Sequence, residues 1–274
     1  MKKILTILTL FAVMVGTAAC GDSKTKRLKK IVEYANQHRP KDIGMIGDMV
    51  SIKYLEETNE VQYYILVNDD LFDIDVFEKN NQLAKQVINL GLTVQKQSPS
   101  KQSEEMDKVF ELIIDANAGL LYTFKSNLSG KSFDIKITTE DLKKIYDTPA
   151  ISDLETNKKL LECSIALENA QCPIFIDEGI SETKTYDDGN SVVCECSIDE
   201  QLIDISVVEE IKDDLKKESK SDFSQNPFIK TRIGLCVSLG KGFIYRFIGN
   251  ISGKSVDIIF TPEELREAIN EHQI

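Results

Sequence analysis

The sequence predicts an α+β protein of two homologous tandem domains, each a small antiparallel sheet of about four strands packed on helices. Three observations carry that reading. The chain repeats itself, most visibly as NLSGKSFDI from residue 127 and NISGKSVDI from residue 250. Stretches of period-two apolar alternation, the mark of half-buried strands, recur within each copy. Stretches with helical spacing and recognisable start signals lie around them.

The repeat extends well beyond the nine-residue motif. At an offset of 123, residues 120–145 lie on residues 243–268, so that Tyr122 meets Tyr245, Phe124 meets Phe247 and Leu142 meets Leu265. At an offset of 131, Val61, Tyr63, Ile65 and Val67 meet Val192, Cys194, Cys196 and Ile198. Self-similarity of this kind is one structural unit built twice. The change of offset places a polar loop, QKQSPSKQSEE, in the first copy only.

Each copy reads in the same order. A helix (about 26–38, then about 154–170) leads to two strands, of which VQYYILV and SVVCECSI alternate with period two. A second helix opens at Asp75-Val-Phe-Glu78 and at Ser206-Val-Val-Glu209, both read as capping boxes with the first residue as the cap. A third is marked by Met106, Val109, Phe110, Ile113 and Ile114, and by Ile229, Ile233, Cys236 and Val237. Gly119 and Gly242 then punctuate each copy before two strands joined by the NxSGK segment. A last helix opens at Thr138-Thr-Glu-Asp141 and at Thr261-Pro-Glu-Glu264, the second with proline at the first helical position. The domains are 26–147 and 148–274.

Gly-Lys-Ser also ends a phosphate-binding loop, but that loop needs Gly-x4-Gly-Lys-Ser/Thr between a strand and a helix. Here Lys125 and Ile248 stand where the first glycine belongs, and a strand follows each motif. Gly with Asn and Ser between strands is hairpin chemistry.

The first twenty residues, MKKILTILTLFAVMVGTAAC, join two lysines, an apolar core and small residues ending in a cysteine. This is the pattern of an export signal, residues 1–19, followed by a tether at 20–25. Thr17-Ala18-Ala19-Cys20 resembles the lipobox of bacterial lipoproteins. The resemblance implies that the signal is removed before Cys20 and that its thiol and new amino terminus carry acyl chains, palmitate among them. The expected location is therefore the cell envelope, anchored to a membrane and facing periplasm or exterior. Acyl chains contribute about 0.8 kcal/mol per buried methylene, so several anchor stably.

The whole chain has formal charge −12; losing a leader with Lys2, Lys3 and no acid leaves 31 basic residues against 45 acidic, or −14. Such a body is repelled by nucleic acid, which needs clustered Lys and Arg. The run KTKRLKK at 24–30 is read as the solvated start of a helix beside the anchor.

No catalytic, cofactor-binding or metal-ligating residues are assigned. His38 and His272 are the two histidines, and neither lies near a nucleophile pattern. NDDLFDID at 68–75 lacks the register of a calcium loop and reads as a strand end plus a helix cap. Cys163, Cys172, Cys194, Cys196 and Cys236 all fall in the second copy, at mostly apolar positions, where cysteine serves as a small hydrophobe. Their residue pattern leaves open whether any two form a disulfide.

ENAQCPIFIDEGI at 168–180, with YRFIGNISGKSVDIIFTPEEL at 245–265, resembles a group of uncharacterised bacterial envelope proteins. That resemblance implies an architecture and no reaction. The tandem units also look like the beta-lactamase-inhibitor type of fold, a likeness of shape. The resulting expectation is a non-enzymatic, lipid-anchored envelope protein that meets an envelope protein or polysaccharide through its sheets or the groove between domains. The alternatives are a hydrolase of envelope polymers using a carboxylate pair, and an inhibitor or immunity-type protein.

Overall fold

A computed structural model describes residues 23–39, 42, 47–69, 73–97, 101–149, 151–225 and 227–270. The leader, Cys20, residues 70–72 of NDDLFDID and His272 lie outside the described residues. The chain divides into two compact units, Met1–Ile151 and Ser152–Ile274. The first runs α1 (Lys24–His38), β1 (Gly47–Leu55), β2 (Glu60–Val67), α2 (Ile74–Lys79), α3 (Asn81–Gln97), α4 (Lys101–Asp115), β3 (Gly119–Lys125), β4 (Ser132–Ile137) and α5 (Thr139–Asp147). The second runs α6 (Asp153–Asn169), β5 (Ile174–Asp177), β6 (Ile180–Asp187), β7 (Ser191–Ile198), α7 (Ile205–Glu210), α8 (Lys212–Gln225), α9 (Pro227–Ser238), β8 (Gly242–Gly249), β9 (Ser255–Phe260) and α10 (Pro262–Asn270).

Each unit is an α+β fold with one sheet, ordered β1-β2-β3-β4 in the first and β5-β6-β7-β8-β9 in the second. The sheets are mostly antiparallel, as expected, but their central pairs β2–β3 and β7–β8 run parallel. The reason lies in the connections: three helices intervene between each of these strand pairs, a crossover long enough to return the chain to the same end of the sheet. Apolar alternation places one face of each sheet under the helices. In the first unit Val61, Tyr63 and Ile65 of β2 are buried beside Leu28, Ile31 and Val32 of α1. In the second, Val192, Cys194 and Cys196 of β7 meet Phe223 of α8 and Leu265 of α10.

The caps expected at Asp75 and Ser206 sit two residues earlier. Asp73 accepts from the amides of Asp75 and Val76, and Asp204 from that of Ser206. The cap is therefore aspartate in both copies; Asp75 instead pairs with Lys131. The boxes at Thr138–Asp141 and Thr261–Glu264 form as read, each with both reciprocal hydrogen bonds. The polar stretch expected as a loop is largely helix, since α3 continues to Gln97 and α4 begins at Lys101.

Candidate functional site

The NxSGK segment is a hairpin turn in both units. Ser126 and Lys131 close the first through a backbone hydrogen bond of 3.0 Å, Gly249 and Lys254 the second at 2.9 Å. Gly130 and Gly253 hold φ of 69° and 67°, where a side chain is strained. The turn amides that invite an anion are already engaged. Asp69 Oδ2 accepts from the amides of Asn127 and Leu128 at 3.0 and 3.1 Å. Glu200, its repeat equivalent, accepts from Ile251 and Ser252 amides at 2.7 and 2.5 Å. These bonds hold both carboxyls below their ordinary range, the Ser126 hydroxyl leading at Asp69 and the Ser252 amide at Glu200. The longer Glu200 is matched by glycine at 249, where a side chain would collide with its carboxylate, while the shorter Asp69 faces Ser126. Gly253→Val is expected to cost about 1–3 kcal/mol for backbone strain. Lys131→Ala removes an exposed ion pair and should cost about 0–1 kcal/mol. Urea titration of each variant checks both.

A different region separates the two copies. Superposing the strand registers adds a third offset, 133, for the first helix and first long strand of each unit. Ile52 pairs with Tyr63 as Thr185 pairs with Cys194, and Met49 with Ile65 as Glu182 with Cys196. The side chain of Asn36 accepts from the Ile52 amide, and that of Asn169 from the Thr185 amide, at 2.9 and 2.8 Å. With this alignment, six core positions change character together. Ala35, Met49, Ile52, Tyr63, Ile65 and Val109, all buried, become Glu168, Glu182, Thr185, Cys194, Cys196 and Arg232.

Arg232 is buried and forms an ion pair with Glu168. Its guanidinium also lies 5.4 Å from the centre of the Phe243 ring. Glu182 accepts from the Thr185 hydroxyl at 2.9 Å. Cys194 and Cys196 share one face of β7 with their sulfurs 3.9 Å apart, as the alternation requires. Burial lifts the Glu168 carboxyl above its ordinary value; Arg232 opposes that rise and Glu182 adds to it. Cys172, half-buried beside this group, is pushed up to about 11 by burial and by Glu182 and Glu168, so it stays a thiol at neutral pH. The five cysteines among the described residues are free thiols. Among the described residues, no group of three or more His, Cys, Asp or Glu could hold a metal ion.

The sheet edge over this cluster also differs. In the first unit, among the described residues, a bridge joins Asp42 to Asp48 of β1, and Asp42 is exposed. The equivalent pair in the second unit is Phe175 and Ser181, which join β5 to β6. β5 is the edge of its sheet, with Phe175 73 % and Ile176 50 % exposed. Charged residues on an edge discourage pairing with another chain, and apolar ones invite it. Aspartate guards the first copy's edge; phenylalanine opens the second's. Sequence reasoning assigned no role to Glu168, Glu182, Arg232 or Phe175. The signal was present, as acids and an arginine standing at apolar positions of the first copy, but it needed the third offset.

His38, the histidine among the described residues, is exposed, stacks on Tyr34 at 4.0 Å and meets its carbonyl. No helix among the described residues is long and apolar enough to cross a membrane.

The fold and site define a tandem-repeat α+β protein with a polar core and an open apolar edge in its second repeat. No protein-family model matches the chain, and no curated protein matches it. A solved structure similar to part of it is a crystal structure described as a secreted protein from Pseudomonas aeruginosa. The two share 15% identity over 43% of this chain and 100% of that one, with a TM-score of 0.35.

Proposed function

We propose that this chain is a non-enzymatic, lipid-anchored protein of the cell envelope that binds a partner through the β5–β6 side of its second repeat. The lipobox-like Thr17–Cys20 supports the anchor and the extracytoplasmic location. One observation carries the binding reading: the position held by exposed Asp42 in the first repeat is exposed Phe175, on the edge strand β5, in the second. The carboxylates Glu168 and Glu182 lend the hydrolytic alternative little support, because both are largely enclosed and Glu168 is tied to Arg232. A catalytic pair must reach substrate and water.

The test is a photoreactive phenylalanine analogue placed at position 175, and separately at 42, in the full chain in its native envelope. The expected result is a discrete adduct from 175 and none from 42, in a membrane fraction from which Cys20→Ser releases the protein. Adducts from neither position, or equal adducts from both, would contradict the reading.

A further inference from the structure

We infer that β5 is a strand-addition site whose occupant is an extended, basic segment of another polypeptide; this rests on the binding reading above and specifies its mode. β5 has one strand neighbour, β6, so one side of its backbone is free of any described strand. An extended chain laid along that side gains main-chain hydrogen bonds and sets one row of alternate side chains beside Phe175, the other row lying on the face of Ile176. Both apolar groups are already exposed, so no rearrangement of the core precedes docking.

Charge selects the occupant. The strand ends in Asp177 and turns through Glu178, both exposed, and the mature chain carries a strongly negative charge. A second copy of this chain would bring the same acids and the same net charge to the contact. Like charges brought face to face disfavour association, whereas lysines or arginines flanking an apolar strand complement it. The first repeat supplies the internal contrast, because Asp42 at the matching position removes the apolar contact and adds a further acid.

The experiment uses the full mature chain carrying Cys20→Ser and a labelled nonapeptide that alternates lysine with valine. Controls are the same peptide with glutamate for lysine, and one N-methylated at alternate backbone nitrogens. Fluorescence anisotropy should show binding of the lysine peptide, at least about tenfold weaker binding of both controls, and slowed amide exchange at residues 174–177. Phe175→Asp should weaken the lysine peptide at least about tenfold, although the added negative charge would strengthen simple attraction to a basic peptide. Phe175→Tyr should retain it. Unchanged or tighter binding by Phe175→Asp, or full binding of the N-methylated peptide, would overturn strand addition. Dimerisation of the wild type that Phe175→Asp abolishes, seen by sedimentation, would overturn the basic occupant in favour of a second copy. A photo-adduct at 175 with no lysine-peptide binding would sink this inference and leave the binding reading standing.

Discussion

Arg232→Val is expected to destabilise the second repeat by about 3–5 kcal/mol, the cost of leaving a buried charge without its partner. The substituted residue is the one the first repeat holds at the same position, Val109, so shape alone does not explain the loss. What fails is charge balance: Glu168 loses its ion pair, and Glu182 remains beside it. The pH dependence should change in a defined direction. Burial raises the Glu168 carboxyl, so the folded state holds this proton more tightly than the unfolded state. Its contribution to stability is fully present below the ordinary value of 4.5 and is lost as pH rises through the folded value. Removing Arg232 removes the influence that opposes the rise, so the loss should extend to higher pH in the variant. Asp141, Asp187 and Glu264 act in the opposite sense: their carboxyls are lowered, through Lys85, Lys241 and Lys216, although burial opposes each. Their contribution is present above ordinary carboxylate values and is lost as pH falls. Guanidinium titrations from about pH 2 to 8, which extend to both sides of ordinary carboxylate values, separate the two trends.

Phe223→Ala should cost a further large amount, about 3–5 kcal/mol, as expected for deleting a fully buried aromatic ring. α8 is mostly polar, with the sequence KDDLKKESKSDFSQ; Leu215 packs partly against the core, and Phe223 is its deepest anchor among the described side chains. The ring meets Phe260 edge-on at 4.8 Å, Phe243 edge-on at 5.8 Å and Tyr245 at 6.5 Å. Truncation empties the centre of that aromatic group, and the surrounding β-strands are held in register too firmly to close the space. Thermal unfolding of the variant, with the first repeat as internal control, measures the effect.

These two positions also show what was legible in the sequence. Strands with strict alternation, such as VQYYILV and SVDIIF, could be read because half-burial forces the pattern into the residues. The hairpin turns could be read because positive φ favours glycine. α8 was not legible as a packed element, since two apolar residues, Leu215 and Phe223, in fourteen make no periodic stripe. The helix caps were misplaced by two residues because NDDLFDID offers several aspartates and local pattern does not choose among them. The parallel centres of the sheets escaped notice because pairing direction depends on how far the intervening helices carry the chain. The polar core escaped because its members lie on three elements at two repeat offsets: Glu168 on α6 and Glu182 on β6 at 133, and Arg232 on α9 at 123. Each alone reads as an ordinary surface charge.

If the buried group of Glu168, Glu182 and Arg232 does not hold the second repeat together, replacing all three with the residues of the first repeat leaves that repeat stable. Native-state hydrogen exchange at the slowest amides of β7 and β8, which reads the stability of that repeat within the intact chain, tests it most directly. The variant combines Glu168→Ala, Glu182→Met and Arg232→Val, restoring the residues of the first repeat at all three positions. Replacing a buried ion cluster with apolar groups is typically neutral or stabilising by about 1–4 kcal/mol. The account predicts exchange as slow as in the wild type, or slower. Exchange accelerated as much as in Arg232→Val alone would show that the cluster is structural, and would contradict it.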